Sequence, residues 1–267
     1  MRVPGDGASG EAGVLTLAAG RLETRWWGPP PDQAPTLVLL HEGLGCVALW
    51  RDVPQRLADA TGCGVFAWSR FGYGASDPVT LPRPMTYMHD EALDVLPRVL
   101  DAAAIRRAIL VGHSDGGSIA AIHAGATQDP RLLGIVLLAA HFFVEDMNIA
   151  SIADIGRTYA SSDLRQKLAR YHRHVDVAFH GWNGAWLDPR FRGFDITGYL
   201  PNIQVPILAL QGADDPYGTE AQLDAVRRHA RAPVETQLIA GARHAPHLEA
   251  ADTTLAAITR FVADCTK

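Results

Sequence analysis

Five short apolar runs, each long enough to cross a sheet once, punctuate this chain. They are "TLVLLHE" (36–42), "GVFAWS" (64–69), "RAILVGH" (107–113), "LLGIVLLAA" (132–140) and "VPILALQG" (205–212). The runs are continuous rather than alternating, which marks strands buried on both faces. Helical spacing fills most of the intervals. Leu49, Val53 and Leu57 recur within 48–60, a long helix with a kink at Pro97 is predicted over 86–104, and further helices over 115–127 and 219–231. A hairpin about Ala19-Gly20 (14–28) precedes the series; "VETQLIA" (234–240) and a terminal helix over 247–264 close it. The pattern predicts an α/β fold: a mostly parallel central sheet of about eight strands with helices on both faces.

One stretch breaks the alternation. Residues 144–204 lack buried-strand runs and are rich in His, Arg and aromatics, as in "YHRHVDVAFHGWNGAWLDPRFRGF". About sixty residues are too many for a structureless loop inside a compact domain. The segment is therefore expected to be a helical cap inserted into a core formed by 1–143 and 205–267. Its Trp182, Trp186, Phe191 and Phe194 are expected to face the sheet, with Trp182 and Trp186 as substrate-binding candidates. The Gly/Ala-rich first dozen residues are expected to be disordered.

Composition narrows the partners. With 29 acidic and 24 basic residues, the net charge is −5, and neither sign forms a long block, which argues against a nucleic-acid or membrane surface. The three cysteines, Cys46, Cys63 and Cys265, have no metal-type spacing and suggest no disulfide framework. The start lacks the apolar core of a secretory signal. The longest apolar run, 132–144, is interrupted by Gly134 and His141 and falls short of the ~20 residues that span a bilayer. A cytoplasmic protein with a small-molecule substrate is expected, with oligomeric state left open. No metal or other cofactor is implied; His172 and His174, two apart on a helix, point in different directions.

The chemistry concentrates where the third of those runs ends. Gly112-His113-Ser114-Asp115-Gly116 places a serine on a tight bend between a strand and a helix, with glycines where side chains would collide. In that setting the sequence resembles the α/β-hydrolase family, over nearly the whole chain. The resemblance implies Ser114 as nucleophile and the Asp115 N–H, at the helix N-terminus, as an oxyanion donor. It selects Asp215 from "GADDPYG" (212–218), with Asp214 as fallback, as the acid. From "GARHAPHLE" (241–249) it selects His244, in preference to His247, as the base. Ser, Asp and His then follow one another along the chain, each after its expected strand.

A second oxyanion donor is expected after the first buried run, where many relatives carry His-Gly-x-x-Gly. This chain has His41-Glu42-Gly43-Leu44-Gly45, which makes Gly43 the donor, Leu44 its rival, and Glu42 and Leu44 substrate-binding candidates. Two carboxylates, Glu42 and Asp115, thus flank a site where negative charge must develop, so each is expected to be turned away or paired. Arg70 or backbone N–H groups are the expected partners of Glu42. Asp115 is expected to cap its own helix, or else to bond a substrate amine or hydroxyl. In "SRFGYGASD" (69–77), Ser69-Arg70 stand where relatives often begin with aspartate; Gly72 and Gly74 are read as turn formers and Tyr73 as packing.

The implied activity is hydrolysis of a small to medium carboxylic ester through an acyl-enzyme. A thioester, a lactone or a carbon–carbon bond would suit the same three residues, and so would a low-turnover binding or receptor role on this fold. Haloalkane dehalogenation is disfavoured, because relatives performing it use aspartate where Ser114 stands.

Overall fold

The computed structural model describes residues 10–267. It opens with the predicted hairpin, β1 (Glu11–Leu17) and β2 (Gly20–Trp27), turning at Gly20 with φ +140°. The disorder expected of the first dozen residues fails at Glu11 and Ala12, which pair with Trp26 and Arg25; residues 1–9 lie outside the described residues. Then follow β3 (Thr36–Leu40), α1 (Val53–Thr61) and β4 (Gly64–Trp68).

The long helix expected over 86–104 is divided into α2 (Tyr87–Asp90), a π turn (Glu91–Val95) and α3 (Leu96–Ala102). Pro97 lies in the first turn of α3, where its missing N–H is tolerated, and the wider turn before it absorbs the mismatch. Next come β5 (Ala108–His113), α4 (Asp115–Thr127) and β6 (Leu132–Leu138). Between β6 and the next strand lie α5 (Asp146–Ser161), α6 (Leu164–Leu168), α7 (Val175–Leu187) and two 3₁₀ turns (Pro189–Gly193 and Thr197–Asn202). The chain ends with β7 (Ile207–Gly212), α8 (Ala221–His229), β8 (Val234–Ile239), α9 (Pro246–Glu249) and α10 (Ala251–Cys265).

The eight strands form one sheet in the order β1-β2-β4-β3-β5-β6-β7-β8. β1–β2 and β2–β4 are antiparallel, and every other pairing is parallel. Strand alternation divides the core into two layers. Leu37, Leu39, Ile109, Val111, Val136 and Leu138 pack with Leu57 of α1 and Ile258 and Phe261 of α10. Their neighbours Val38, Leu40, Leu110, Ile135 and Leu137 pack on the opposite face with Leu96, Val99 and Ile119. Trp182, Trp186, Phe191 and Phe194 join this second layer, so the β6–β7 segment is seated on it.

From β3 the chain winds to β4 on one side and then, through β5, to the other. The crevice beyond the carboxyl ends of β3 and β5 is therefore a topological switch point, where open α/β sheets hold ligands. The close approach that builds it depends on two glycines. A Cβ on Gly116 would stand 2.0 Å from the Leu40 carbonyl oxygen, and one on Gly112 would stand 2.2 Å from the Gly116 oxygen.

Gly116→Ala is expected to lower stability by about 3 kcal/mol or more in urea denaturation, since the colliding atoms are backbone and cannot swing aside. Gly184→Ala in α7, where a Cβ meets nothing within 4 Å, is expected to stabilise by up to ~1 kcal/mol.

Candidate active site

Ser114 is the single residue between β5 and α4, and it holds φ +52° and ψ −118°. A side chain is rarely found there, and the strain is of order 1–3 kcal/mol. Fixed bonds on both sides hold it. Its N–H donates to the Leu138 carbonyl (2.8 Å), and its own carbonyl accepts from the N–H groups of Gly117 (2.8 Å) and Ser118 (3.1 Å).

Two loops converge on the Ser114 hydroxyl. His244, 130 residues on, places Nε2 3.0 Å from Oγ. Its Nδ1 lies 2.8 and 3.0 Å from the two oxygens of Asp215. A carboxylate only accepts, so Nδ1 carries the proton and the Nε2 lone pair faces Ser114. Asp215 is held in turn by the Gln211 side-chain amide (2.6 Å) and the Tyr217 N–H (2.8 Å). Burial alone would push the Asp215 carboxyl up, but the His244 bond and charge hold it below its ordinary value. Of the alternatives, Asp214 is exposed to solvent. His247 is buried against Trp50 and His113, and burial depresses its basicity.

The loop after β3 forms a turn closed by the Gly45 N–H on the Glu42 carbonyl (3.1 Å), with Gly43 and Leu44 at its centre. A Cβ on Gly43 would fall 2.1 Å from the buried Trp182 indole. The turn is pinned at several points. Arg70 donates to the carbonyls of His41 and Glu42, and the Arg70 N–H donates to His41 Nε2 (3.0 Å). That bond leaves His41 Nδ1–H to donate to the Glu42 carbonyl at 2.7 Å. His172 serves similarly, accepting from the Gly74 N–H (3.0 Å) and donating to the Leu44 carbonyl (2.9 Å).

Both carboxylates are paired, though not as expected. Arg70 bonds the Glu42 backbone, while the Glu42 carboxylate lies over Gly45 and contacts His113 Nδ1 at 3.4 Å. Burial would raise the Glu42 pKa, but His113 overrides it and holds the carboxylate well below its usual range. Burial disfavours the His113 imidazolium, yet Glu42 and the His244 carbonyl, 2.7 Å from Nε2, raise its pKa. Asp115 does not cap its helix. Its carboxylate accepts from Tyr87 Oη–H (2.6 Å) and from Trp186 Nε1–H (3.2 Å), and the residue is fully buried.

Glu42, Gly43, Leu44, Ser114, Asp115, Trp182, Trp186 and His244 border one cavity of about 150 Å³. Ile152, His141 and Tyr217 also line it, and sequence reasoning missed all three. The His141 ring stacks on His244 at 5.7 Å between centroids. Burial and the neighbouring His244 lower the His141 pKa to about 3, so the ring is an uncharged wall at neutral pH. Its one sequence signal was an ionisable residue at the end of a buried apolar run. Among the described residues no cluster of His, Cys, Asp or Glu could hold a metal ion, and no helix is long and apolar enough to cross a membrane.

A model of the alpha/beta hydrolase family matches residues 37–257, from β3 into α10. This chain belongs to the α/β-hydrolase family. The α/β-hydrolase is 27% identical over 197 residues to the Homo sapiens serine hydrolase BPHL, a match covering 70% of this chain and 65% of that protein's length. Among solved structures, proline iminopeptidase from Mycobacterium smegmatis superposes with TM-score 0.76 at 18% identity, over 96% of this chain and 99% of that one. Naproxen esterase from Bacillus subtilis gives 0.73 at 18% identity, over 96% and 92%. At such identities the likeness shows the fold.

The Glu42–His113 contact should be visible in this α/β-hydrolase's stability. Glu42, with a depressed pKa, contributes above its unfolded value near 4.5 and loses that as pH falls. His113, with a raised pKa, contributes below 6.5 and loses that as pH rises through its folded value. Glu42→Gln is therefore expected to cost about 1–3 kcal/mol at pH 5.5 and clearly less at pH 8.5, measured by urea denaturation at both pH values.

Proposed function

We propose that this chain is a serine hydrolase that cleaves a small to medium carboxylic ester through an acyl-enzyme on Ser114. The observation that carries the reading is the unbroken hydrogen-bond chain from Ser114 Oγ through His244 to Asp215. A serine hydroxyl is a weak nucleophile at its free pKa, and His244 Nε2 is placed to take its proton as Oγ attacks the carbonyl. Asp215 fixes the imidazole tautomer and stabilises the imidazolium. His244 then returns the proton to the leaving alcohol, and water repeats the cycle on the acyl group.

The tetrahedral oxygen requires donors, for which we assign the N–H groups of Gly43 and Asp115. Gly43 is chosen over Leu44 because it stands at the donor position the family resemblance implies, in a turn fixed by Arg70, His41 and the Gly45 N–H. Removing one such donor from a hydrolase typically costs about 3 kcal/mol in the transition state. The helices between β6 and β7 act as a cap, with Trp182, Trp186 and Ile152 forming the apolar side of the cavity. Among the described residues no Lys or Arg lines that cavity and Glu42 does, which favours uncharged esters over carboxylate-bearing dienoates.

A fluorophosphonate is expected to label the native protein at Ser114 and to leave Ser114→Ala unlabelled. With p-nitrophenyl acetate, Ser114→Ala is expected to lower kcat by about 10⁴–10⁶-fold and Asp215→Asn by about 10⁴-fold. Equal labelling of Ser114→Ala would overturn the reading.

A further inference from the structure

The aspartate after the proposed nucleophile borders the cavity, yet its carboxylate is engaged by donors of the protein itself. It is fully buried, and two donors occupy its two oxygens. Those donors form a directed set. The Trp186 indole can only donate, and its N–H is shared between Asp115 Oδ1 (3.2 Å) and Tyr87 Oη (3.1 Å). Tyr87 in turn donates its own O–H to Asp115 Oδ2 at 2.6 Å. Asp115 is thus the acceptor at which both bonds end, and a residue without acceptor oxygens there would leave the indole only the phenol oxygen and the phenol proton no acceptor in the set.

Three parts of the chain are joined in this way: α2 through Tyr87, the elbow through Asp115, and α7 through Trp186. Packing supports the join. Tyr87 stacks on Phe191 (6.2 Å, 24°), Trp186 lies 4.9 Å from Phe191, and His141 meets the other side of the indole at 5.2 Å. Behind the carboxylate stand the buried Arg70 and Arg83, whose charges oppose the upward push of burial on its pKa. The indole so held borders the cavity beside Ser114. That cavity, at about 150 Å³, has room for a group near the size of benzene.

We propose that Asp115 is a positioning residue that, with Tyr87, ties Trp186 to the nucleophile elbow and thereby limits the substrate's acyl group to a compact one. The limit on acyl size rests on the hydrolase reading; the tether itself does not. Strong bonds to a buried carboxylate resist the outward swing of the indole that a longer chain would demand. A helix secured only by apolar contacts would yield to it more readily.

The test uses Tyr87→Phe and Trp186→Phe, which remove the donors and leave the elbow unaltered, together with Asp115→Asn. The ratio of kcat/KM for p-nitrophenyl hexanoate to that for the acetate is expected to rise about tenfold in each, against the wild type, since a few methylenes in an apolar pocket carry selectivity of this order. Hydrogen exchange in peptides covering α7 is expected to quicken in the same variants while that of β5 and β6 stays unchanged. General destabilisation would lower both esters together and leave the ratio where it was. If ratio and exchange are unmoved in both phenylalanine variants, the proposal is overturned. It is also overturned if Asp115→Asn loses activity only toward substrates bearing an amine or hydroxyl, which would place the carboxylate on the substrate. Should the wild type neither label with a fluorophosphonate nor turn over esters, the hydrolase reading fails, and the exchange of α7 still decides the tether.

Discussion

The bend at Ser114 is the constraint around which the rest of the structure is arranged. A non-glycine residue with φ +52° is tolerable only where its surroundings leave no alternative, and here backbone packs directly on backbone. Gly112 and Gly116 let the start of α4 lie against the end of β5 and the Leu40 carbonyl of β3. The elbow is thereby locked to the two strands at the centre of the sheet. The other residues that line the cavity come from segments that follow β3, β6, β7 or β8.

Much of this could be read in the sequence because it follows from local pattern. Continuous apolar runs are what a doubly covered parallel sheet demands, and strand–glycine–x–serine–x–glycine–helix leaves a polypeptide few conformations. The choice of Ser114, Asp215 and His244 came instead from the family resemblance, which expects each just past a particular strand, and the three side chains do meet. The helix boundaries were less so. Pro97 signalled a disturbance, but not that the chain would admit a π turn just before it.

Side-chain pairings were the part that pattern could not supply. Asp115 meets Tyr87, 28 residues back, and Trp186, 71 residues on, and no periodicity links those positions. The expected helix cap was the local solution; a longer-range one won because an indole and a phenol buried without acceptors would be costlier than one uncapped N–H at a helix start. Glu42 and Arg70 looked like partners by charge alone. The guanidinium instead serves carbonyl oxygens of the 41–42 backbone, where several donors in a fixed fork can be used at once, and His113 is left for the carboxylate. His141 escaped notice because nothing local distinguishes a histidine that ends a strand from one that lines a cavity.

The electrostatics of the site then become coherent. Under the proposed hydrolysis, two carboxylates beside the position of the oxyanion would oppose the chemistry if either were unpaired. Each has partners within the protein: His113 for Glu42, and Tyr87, with the charges of Arg70 and Arg83, for Asp115. Beside these paired carboxylates the cavity is lined by uncharged groups, including a His141 whose buried ring stays uncharged beside His244. Negative charge is thus tolerated next to the elbow because it has been spent on structure. The Glu42–His113 pair is tied to the loop that carries His244, through the His244 carbonyl, and Asp115 is tied to the Trp186 wall beside Ser114. The features that looked most hostile to the chemistry are, in three dimensions, what holds its parts in register.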